Sequence, residues 1–196
     1  MPTLPPATKA LMLICTALFF LEQLVPFGSL LALWPLGSGL FWPWQVVTYA
    51  FLHGSLTHLL FNMLGLWMFG SELERVWGQR RYLMFLLAGV LAAAAAQLLF
   101  TQLTRSPAPT VGASGGLYAL LLAYGMLFPE RTIMLLIPPI PMKARTFVIV
   151  FGALELVLGL YGGSGVAHFA HLGGMVGGYL MIRYWRGQAP FGGRRR

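Results

Sequence analysis

The residues Val111-Gly112-Ala113-Ser114-Gly115-Gly116-Leu117-Tyr118 open an apolar stretch that continues to Phe128. A serine that only fills space in an apolar helix needs no special neighbours. Ser114 has glycine close on both sides and a tyrosine one helical turn later, which predicts a helix start with an accessible hydroxyl. His171, near the other end of the chain, offers a base for that hydroxyl.

The composition excludes an ordinary soluble domain. Of the 196 residues, 58% are hydrophobic and 9% are charged, and the mean hydropathy is +0.74. Soluble domains carry about 25% charged residues, so this chain cannot cover itself with polar surface. Long apolar runs predict membrane-spanning helices, because lipid offers no partner for free backbone polar groups. Cys15 is the only cysteine, which excludes an internal disulfide and a thiolate metal cluster.

The apolar runs divide into six predicted membrane-spanning helices. No charged residue lies between Gln23 and Ser71, whereas one crossing needs only about 20 residues. Prolines, glycines and tryptophans in the first half of this run predict a membrane-embedded loop at 26–52. The alanines at 92–96 predict close contact with another helix, and residues 129–145 predict a proline-rich connection that does not cross. The predicted spans are 8–25, 55–70, 82–103, 111–128, 146–161 and 166–182, with a basic tail at 183–196.

The basic residues indicate the orientation of these spans. Six spans place both termini and the second and fourth connections on one side of the membrane, and that side holds all of the 13 Lys and Arg residues except Arg105. Because Lys and Arg are enriched in cytoplasmic connections, the termini are predicted to be cytoplasmic and the tryptophan-rich loop to lie outside. The net charge of +8 therefore indicates topology rather than nucleic-acid binding. The run Arg194-Arg195-Arg196 predicts an anchor to anionic lipid headgroups.

Three polar side chains from distant parts of the sequence share one predicted depth. His58, Ser114 and His171 each lie three to five residues past the predicted outer start of spans 2, 4 and 6. At 1.5 Å per residue, this is roughly 5 to 8 Å below the outer edge. Ionisable groups at membrane depth are costly and usually face the bundle interior or a wet cavity, which favours a common site.

The chemistry of these residues predicts a serine hydrolase. Ser114 would be the nucleophile and His171 its general base. The sequence has no Asp, and none of its glutamates is obviously placed to orient His171, so a Ser-His dyad is predicted. His58 and Asn62, four residues apart on one helical face, and the Ser114 backbone N–H would donate hydrogen bonds to an oxyanion.

Glycines predict how the nucleophile and the base meet. Span 6 carries a small-xxx-small face with two further glycines beside it, namely Gly174 and Gly178 with Gly173 and Gly177. Such a face lets another helix approach closely. If that helix is span 4, whose start is also rich in glycine (Gly112, Gly115, Gly116), the Ser114 hydroxyl and the His171 ring come within hydrogen-bond reach.

With these motifs, the chain resembles the rhomboid family of intramembrane serine proteases, of the minimal six-span bacterial type, over nearly its whole length. The motifs are His58-x-x-x-Asn62, Gly112-x-Ser114-Gly115 and Ala170-His171-x-x-Gly174-x-x-x-Gly178. The resemblance implies an all-α polytopic bundle of six transmembrane helices that forms a single domain at 1–196.

The resemblance also implies roles for residues outside the dyad. Tyr118 is expected to pack against His171, and Glu74-Arg75 with Gly78 to belong to a structural segment after span 2. The first loop of this family often carries Trp-Arg. Here Trp44-Gln45 stands in its place, which puts an Arg-dependent anchoring of the loop in doubt.

The function implied by the resemblance is hydrolysis of peptide bonds in transmembrane proteins near the outer face of a bacterial plasma (inner) membrane. The expected partners are these substrates and the lipid bilayer, without nucleic acid. No cofactor and no metal are expected, because His168 lacks an HExxH context, and a structural or substrate-side role is preferred for it. His53 is interpreted as loop structure. Glu155 in span 5 is interpreted as a buried, hydrogen-bonded carboxyl, with a proton or ion path as the alternative.

Two other functions stay open at this stage. A non-catalytic relative could bind membrane clients and hand them on, although the presence of both Ser114 and His171 argues against it. An ion or metabolite transporter could be built around Glu155 and the histidines. Transport folds often contain paired repeats, and the sequence shows no convincing repeat.

Overall fold

Helices make up most of the structure, a computed structural model that describes residues 3–134, 139–161, 167–188 and 190. The helices are α1 Pro6–Glu22, α2 Gly28–Leu31, α3 Gln45–Thr48, α4 Leu56–Gly65, α5 Ser71–Trp77, α6 Gln79–Thr104, α7 Ser114–Leu127, α8 Ala144–Tyr161 and α9 His168–Trp185. The short elements are 3-10 turns at Leu36–Ser38 and Tyr49–Phe51, a π-helical turn at Leu66–Gly70, and strands β1 Thr132–Met134 and β2 Pro141–Lys143.

Each predicted span contains a helix, and two departures from the predicted bounds have a clear structural cause. The helix of the second span continues past residue 70, because the π-helical turn joins α4 to α5, which ends at Trp77. The charged residues of this segment suggested an end to the helix, although α5 buries Leu73 together with the side chain of Glu74. The helix of the fourth span begins at Ser114, because Gly112 has a φ of 128°, far from helical geometry.

The described chain is mostly helical, as predicted, with a short strand pair between α7 and α8 that the sequence analysis did not predict. There β1 and β2 form an antiparallel pair in which Thr132 lies opposite Lys143 and Met134 lies opposite Pro141. A proline is tolerated at the first residue of such a strand, because no ladder hydrogen bond from its nitrogen is needed. Lys143 donates to Glu130 at 2.5 Å, and this hydrogen bond lowers the pKa of the exposed Glu130 carboxyl.

Some predicted features lie outside the described residues. They are residues 162–165, which connect the predicted fifth and sixth spans, the start of the sixth span at 166 and the terminal arginines. Helix α9 continues to Trp185, so the tail predicted from residue 183 starts as helix. Among the described helices, α6 and α8 are long and apolar enough to cross a membrane by length and composition, and α7 is a shorter apolar helix. The six-span count therefore stays a prediction.

Helix α9 packs between α6 and α7, and where it approaches the α7 backbone most closely it carries glycine. A Cβ atom placed on Gly174 would lie 1.9 Å from the carbonyl oxygen of Gly115. A Cβ on Gly178, one turn further along α9, would lie 3.2 Å from the Cα atom of Ala119. The predicted close contact between spans 4 and 6 is confirmed.

The opposite side of α9 packs equally closely on α6. A Cβ on Gly173 would lie 2.8 Å from the carbonyl oxygen of Ala92, and one on Gly177 would lie 2.9 Å from that of Ala88. The predicted role of the alanine run as a helix contact is confirmed, and its partner is α9. Two pairs of glycines, one helical turn apart on α9, thus fix its distance from both neighbouring helices.

The loop at 26–52 contains only short helical turns, and hydrogen bonds attach it to the bundle. Leu33 and Thr110 exchange backbone hydrogen bonds of 3.0 and 2.9 Å. The Tyr49 hydroxyl donates to the Val90 carbonyl of α6 at 2.9 Å. Gln45 is fully buried. Its amide accepts from the Trp34 N–H and donates to the carbonyls of Leu30 and Leu40, so it ties the loop to itself.

A buried carboxylate on α5 caps the start of α1. Glu74 is 3% exposed and accepts hydrogen bonds from the backbone N–H of Ala7 at 2.9 Å, the N–H of Thr8 at 2.7 Å and the Thr8 hydroxyl at 2.7 Å. The first N–H groups of a helix have no acceptor within the helix, and negative charge is favourable there. Glu74 therefore joins α1 to the rest of the bundle.

We expect Gly174→Ala to lower the free energy of unfolding by about 1–3 kcal/mol, because the added methyl group would overlap the Gly115 backbone. Thermal unfolding of the purified protein in detergent measures the change. Gly37→Ala is the control, since a Cβ on Gly37 has no atom within 4 Å. Equal stability of the two variants would contradict the packing of α9 on α7.

Glu74→Gln should also destabilise the fold, by about 1–3 kcal/mol, because an amide N–H₂ would face donors that now bind a carboxylate. The exposed Glu130→Gln is the matched control and should change stability by no more than about 0.5 kcal/mol. The same unfolding assay compares the two. An unfolding midpoint of Glu74→Gln that equals that of Glu130→Gln would show that the cap is not needed.

Candidate active site

Ser114 is the first residue of α7, and the chain immediately before it requires glycine. Gly112 has a φ of 128°, and a Cβ there would lie 2.7 Å from the His58 ring. The Gly112 N–H donates to the Tyr49 carbonyl at 2.9 Å, which fixes this turn to the buried loop. The turn places the Ser114 hydroxyl at the N-terminal end of α7, on the side of Gly112 that faces the His58 ring.

The ring of His171 lies directly over this hydroxyl. His171 Nε2 and Ser114 Oγ are 2.7 Å apart. The contact of Gly174 with Gly115 allows this distance, because His171 lies in the first turn of α9, just before Gly174. The two residues paired in the sequence analysis are therefore in hydrogen-bond contact.

Tyr118 supports the histidine ring from α7. The two rings stack with centroids 4.3 Å apart and planes 8° apart, which confirms the expected packing. Tyr118 lies one turn after Ser114, so one helix carries both the hydroxyl and the platform for its partner. The platform limits rotation of the His171 ring.

A glutamate lies behind His171, contrary to the sequence analysis. Glu155 Oε2 is 2.8 Å from His171 Nδ1 and 2.6 Å from His168 Nδ1, and Oε1 accepts a hydrogen bond from the Tyr118 hydroxyl. The sequence showed no glutamate obviously placed to orient His171, whereas the structure places Glu155 against its Nδ1 atom. Residue spacing does not reveal this neighbour, because the lateral position of α8 depends on helix packing. The available signal was a single carboxylate in an apolar helix, followed by two histidines one turn apart.

His58 and Asn62 share one face of α4, as predicted, but their contacts differ. The His58 ring faces Gly112 and the Ser114 turn. Asn62 is buried and donates from Nδ2 to the His58 carbonyl at 2.9 Å, while Oδ1 has no hydrogen-bond partner in the described part of the chain. One N–H of the amide is thus used within α4, and one remains for another acceptor.

His53 is a neighbour of the site that sequence analysis assigned to loop structure. It is buried just before α4, and its ring meets that of His58 edge to face, with centroids 5.1 Å apart. Burial, together with the nearby His58, lowers the pKa of His53 to about 4. His53 is therefore neutral at physiological pH and packs against His58 without repelling it.

Glu155, His168 and His171 are also the described residues whose grouping could hold a metal ion. Ligand atoms of a tetrahedral zinc site lie about 3.3 Å apart, from bonds of about 2.0 Å. The carboxylate oxygen here lies 2.6 and 2.8 Å from the two ring nitrogens. Separations this short are typical of a nitrogen and an oxygen that share a proton, and they are shorter than those between two ligands of one zinc ion. The three side chains are therefore better suited to holding the His171 ring in place than to binding a metal.

Comparison with known proteins shows similarity over most of the chain. The Rhomboid domain model matches residues 41–187. Rhomboid protease GlpG of Yersinia enterocolitica (serotype O:8 / biotype 1B) is 30% identical over 185 residues, which cover 92% of this chain and 62% of that protein. Rhomboid protease GlpG of Serratia proteamaculans (strain 568) is 32% identical over 185 residues, which again cover 92% of this chain and 62% of that protein. The chain spans about three fifths of the length of these relatives. Because the domain match covers most of the chain, this protein belongs to the rhomboid family of helical membrane proteins.

Proposed function

We propose that this protein is an intramembrane serine endopeptidase that uses Ser114 and His171 as its catalytic dyad. The observation that carries the proposal is the 2.7 Å contact between Ser114 Oγ and His171 Nε2, in a chain of the rhomboid family. A serine hydroxyl is a weak nucleophile unless an adjacent base accepts its proton. The two atoms have the separation that such a transfer needs.

The reaction follows from this contact. His171 Nε2 takes the proton of Ser114 Oγ as the oxygen attacks the carbonyl carbon of the scissile peptide bond. The tetrahedral intermediate loses the amine, which receives the proton from Nε2, and an acyl ester on Ser114 remains. A water molecule, deprotonated by the same nitrogen, then attacks the ester, releases the acid and restores the hydroxyl.

Three donors around Ser114 are proposed to stabilise the oxyanion. The backbone N–H of Ser114 lies in the first turn of α7, where N–H groups have no acceptor within the helix and the helix dipole favours negative charge. The His58 ring faces the same turn, and Asn62 keeps one amide N–H for a ligand. Gly112, Gly115, Gly174 and Gly178 contribute by permitting the close backbone approach.

The proposed setting is a bacterial plasma (inner) membrane that the single domain, 1–196, crosses six times. All of the 13 Lys and Arg residues except Arg105 then lie on the cytoplasmic side with both termini. Ser114 and His171 lie at the starts of α7 and α9, which both run inward in this topology. The site would therefore open towards the outer side.

The proposed substrates are membrane-spanning proteins cleaved near that outer face. An intact helix satisfies its carbonyls internally, so a substrate needs a locally unwound segment before Ser114 can reach a carbonyl carbon. This requirement selects helix ends and segments interrupted by glycine or proline.

A fluorophosphonate probe tests the dyad directly. We expect the wild type to be labelled, Ser114→Ala not to be labelled, and His171→Ala to react about 10²–10⁴-fold more slowly, because the general base is lost. The exposed Ser29→Ala is the matched control and should be labelled like the wild type. Cleavage of a generic transmembrane substrate in proteoliposomes should follow the same order.

The same assays identify the alternatives. Absence of labelling in the wild type, or equal labelling of Ser114→Ala, would favour a non-catalytic protein that binds membrane clients. Ion or metabolite flux in proteoliposomes that survives Ser114→Ala and is lost in Glu155→Gln would favour a transporter.

The proposed oxyanion donors predict a specific kinetic change. His58→Ala and Asn62→Ala should each lower kcat by about 10²–10³-fold with little change in KM, because the donors act on charge that develops in the transition state. Thr57→Ala, at an exposed position of α4 immediately before His58, is the control. A change confined to KM would indicate that these residues bind the substrate instead.

A further inference from the structure

Glu155 is the residue whose surroundings call for an explanation beyond the dyad. It is 7% exposed, whereas its sequence neighbours on α8, Leu154 and Leu156, are exposed and apolar. A carboxylate removed from water is strongly unfavourable unless several hydrogen bonds satisfy it. Helix α8 therefore carries a costly group at an inward-facing position next to the proposed site.

The groups around the carboxylate are donors. The Tyr118 hydroxyl donates to Oε1, and Nδ1 of His168 lies 2.6 Å from Oε2. Nδ1 of His171 lies 2.8 Å from the same Oε2. This arrangement suits an ionised carboxylate, which accepts hydrogen bonds only.

The Nδ1 atom of His171 is buried and has no hydrogen-bond partner within the described part of the chain. Glu155 Oε2 lies 2.8 Å from it, as a close charge contact that a small rotation of either side chain would align as a hydrogen bond. The opposite nitrogen, Nε2, contacts Ser114 Oγ. One imidazole ring thus joins the hydroxyl to the carboxylate, and the two contacts use different nitrogens.

We propose that Glu155 is a positioning residue for His171, so that this chain works with a Ser114-His171-Glu155 triad. The inference rests on the proposed function. The carboxylate holds the proton of the neutral ring on Nδ1, which leaves the lone pair of Nε2 free to accept the Ser114 proton. When Nε2 takes that proton, the ring becomes an imidazolium, and the negative charge 2.8 Å away stabilises it. The proton stays on the ring and is not passed to Glu155.

Tyr118 and His168 complete this arrangement from α7 and α9. Tyr118 stacks on His171 with its ring and binds Glu155 with its hydroxyl, so it fixes both members of the pair. His168 lies one turn before His171 and contacts the same carboxylate oxygen. Of the two roles that sequence analysis left open for His168, structural or substrate-side, this contact favours the structural one.

The test uses the full-length protein in proteoliposomes, with Glu155→Gln as the main variant. The amide keeps the shape of the side chain and removes its charge. We expect kcat to fall by about 10²–10⁴-fold and the fluorophosphonate labelling rate to fall in parallel, with KM unchanged within about twofold. Tyr118→Phe, which keeps the ring stack and removes the hydroxyl, and Glu155→Asp, which keeps the charge, should fall between Glu155→Gln and the wild type.

Glu74→Gln is the matched control, since Glu74 is another buried glutamate that accepts hydrogen bonds away from this site. It should lose stability while the folded fraction, counted by active-site titration, keeps the wild-type kcat. Glu155→Gln with a kcat within threefold of the wild type would overturn the inference while the Ser-His dyad stands. A wild type that is not labelled would refute the proposed function itself.

A second measurement does not depend on any glutamate variant. Selective ¹⁵N-histidine labelling of the wild type should give a low-field proton resonance on Nδ1 of His171, as expected for a proton held beside a carboxylate. Its absence would overturn the inference. Activity must also be insensitive to chelators, and a loss with EDTA that zinc restores would show instead that Glu155, His168 and His171 hold a metal.

Discussion

The structure depends on one contact between two helix backbones, that of Gly174 on the Gly115 carbonyl. No side chain fits between α7 and α9 at this point. Because lipid tails are as apolar as leucine, helices in a bilayer gain little from hydrophobic burial against one another, and close packing takes its place. The contact brings the starts of the two helices together, and the Ser114 hydroxyl and the His171 ring meet there.

Glycines also allow close backbone packing on the other side of α9. Gly173 and Gly177 allow α9 to approach the alanine run of α6, so α9 is held between two helices at backbone distance. Such packing leaves little freedom for α9 to shift along its axis. A side-chain contact could yield by changing rotamer, whereas a backbone contact cannot, and the geometry of the site is correspondingly rigid.

Two buried glutamates serve different purposes in this apolar chain. Glu74 accepts hydrogen bonds from the start of α1 and attaches that helix to α5. Glu155 lies among Tyr118, His168 and His171, beside the proposed catalytic ring. The first satisfies backbone N–H groups that every helix start leaves unpaired. The second is surrounded by side chains rather than by unpaired backbone N–H groups. Because no backbone group needs Glu155 as an acceptor, we assign it a role in the chemistry.

The sequence by itself determined the helical membrane class, the approximate positions of the long helices, the face that pairs α7 with α9, and the pairing of Ser114 with His171. These follow from hydropathy, from glycine spacing and from motif order, which are local properties of the chain. The tertiary structure alone decided the continuation of α4 through α5, the β1–β2 pair and the place of Glu155. Residue spacing gives the face that a side chain occupies on its own helix, but not which neighbour that face meets. Only the packing of α8 against α7 and α9 could bring the Glu155 carboxylate to His171.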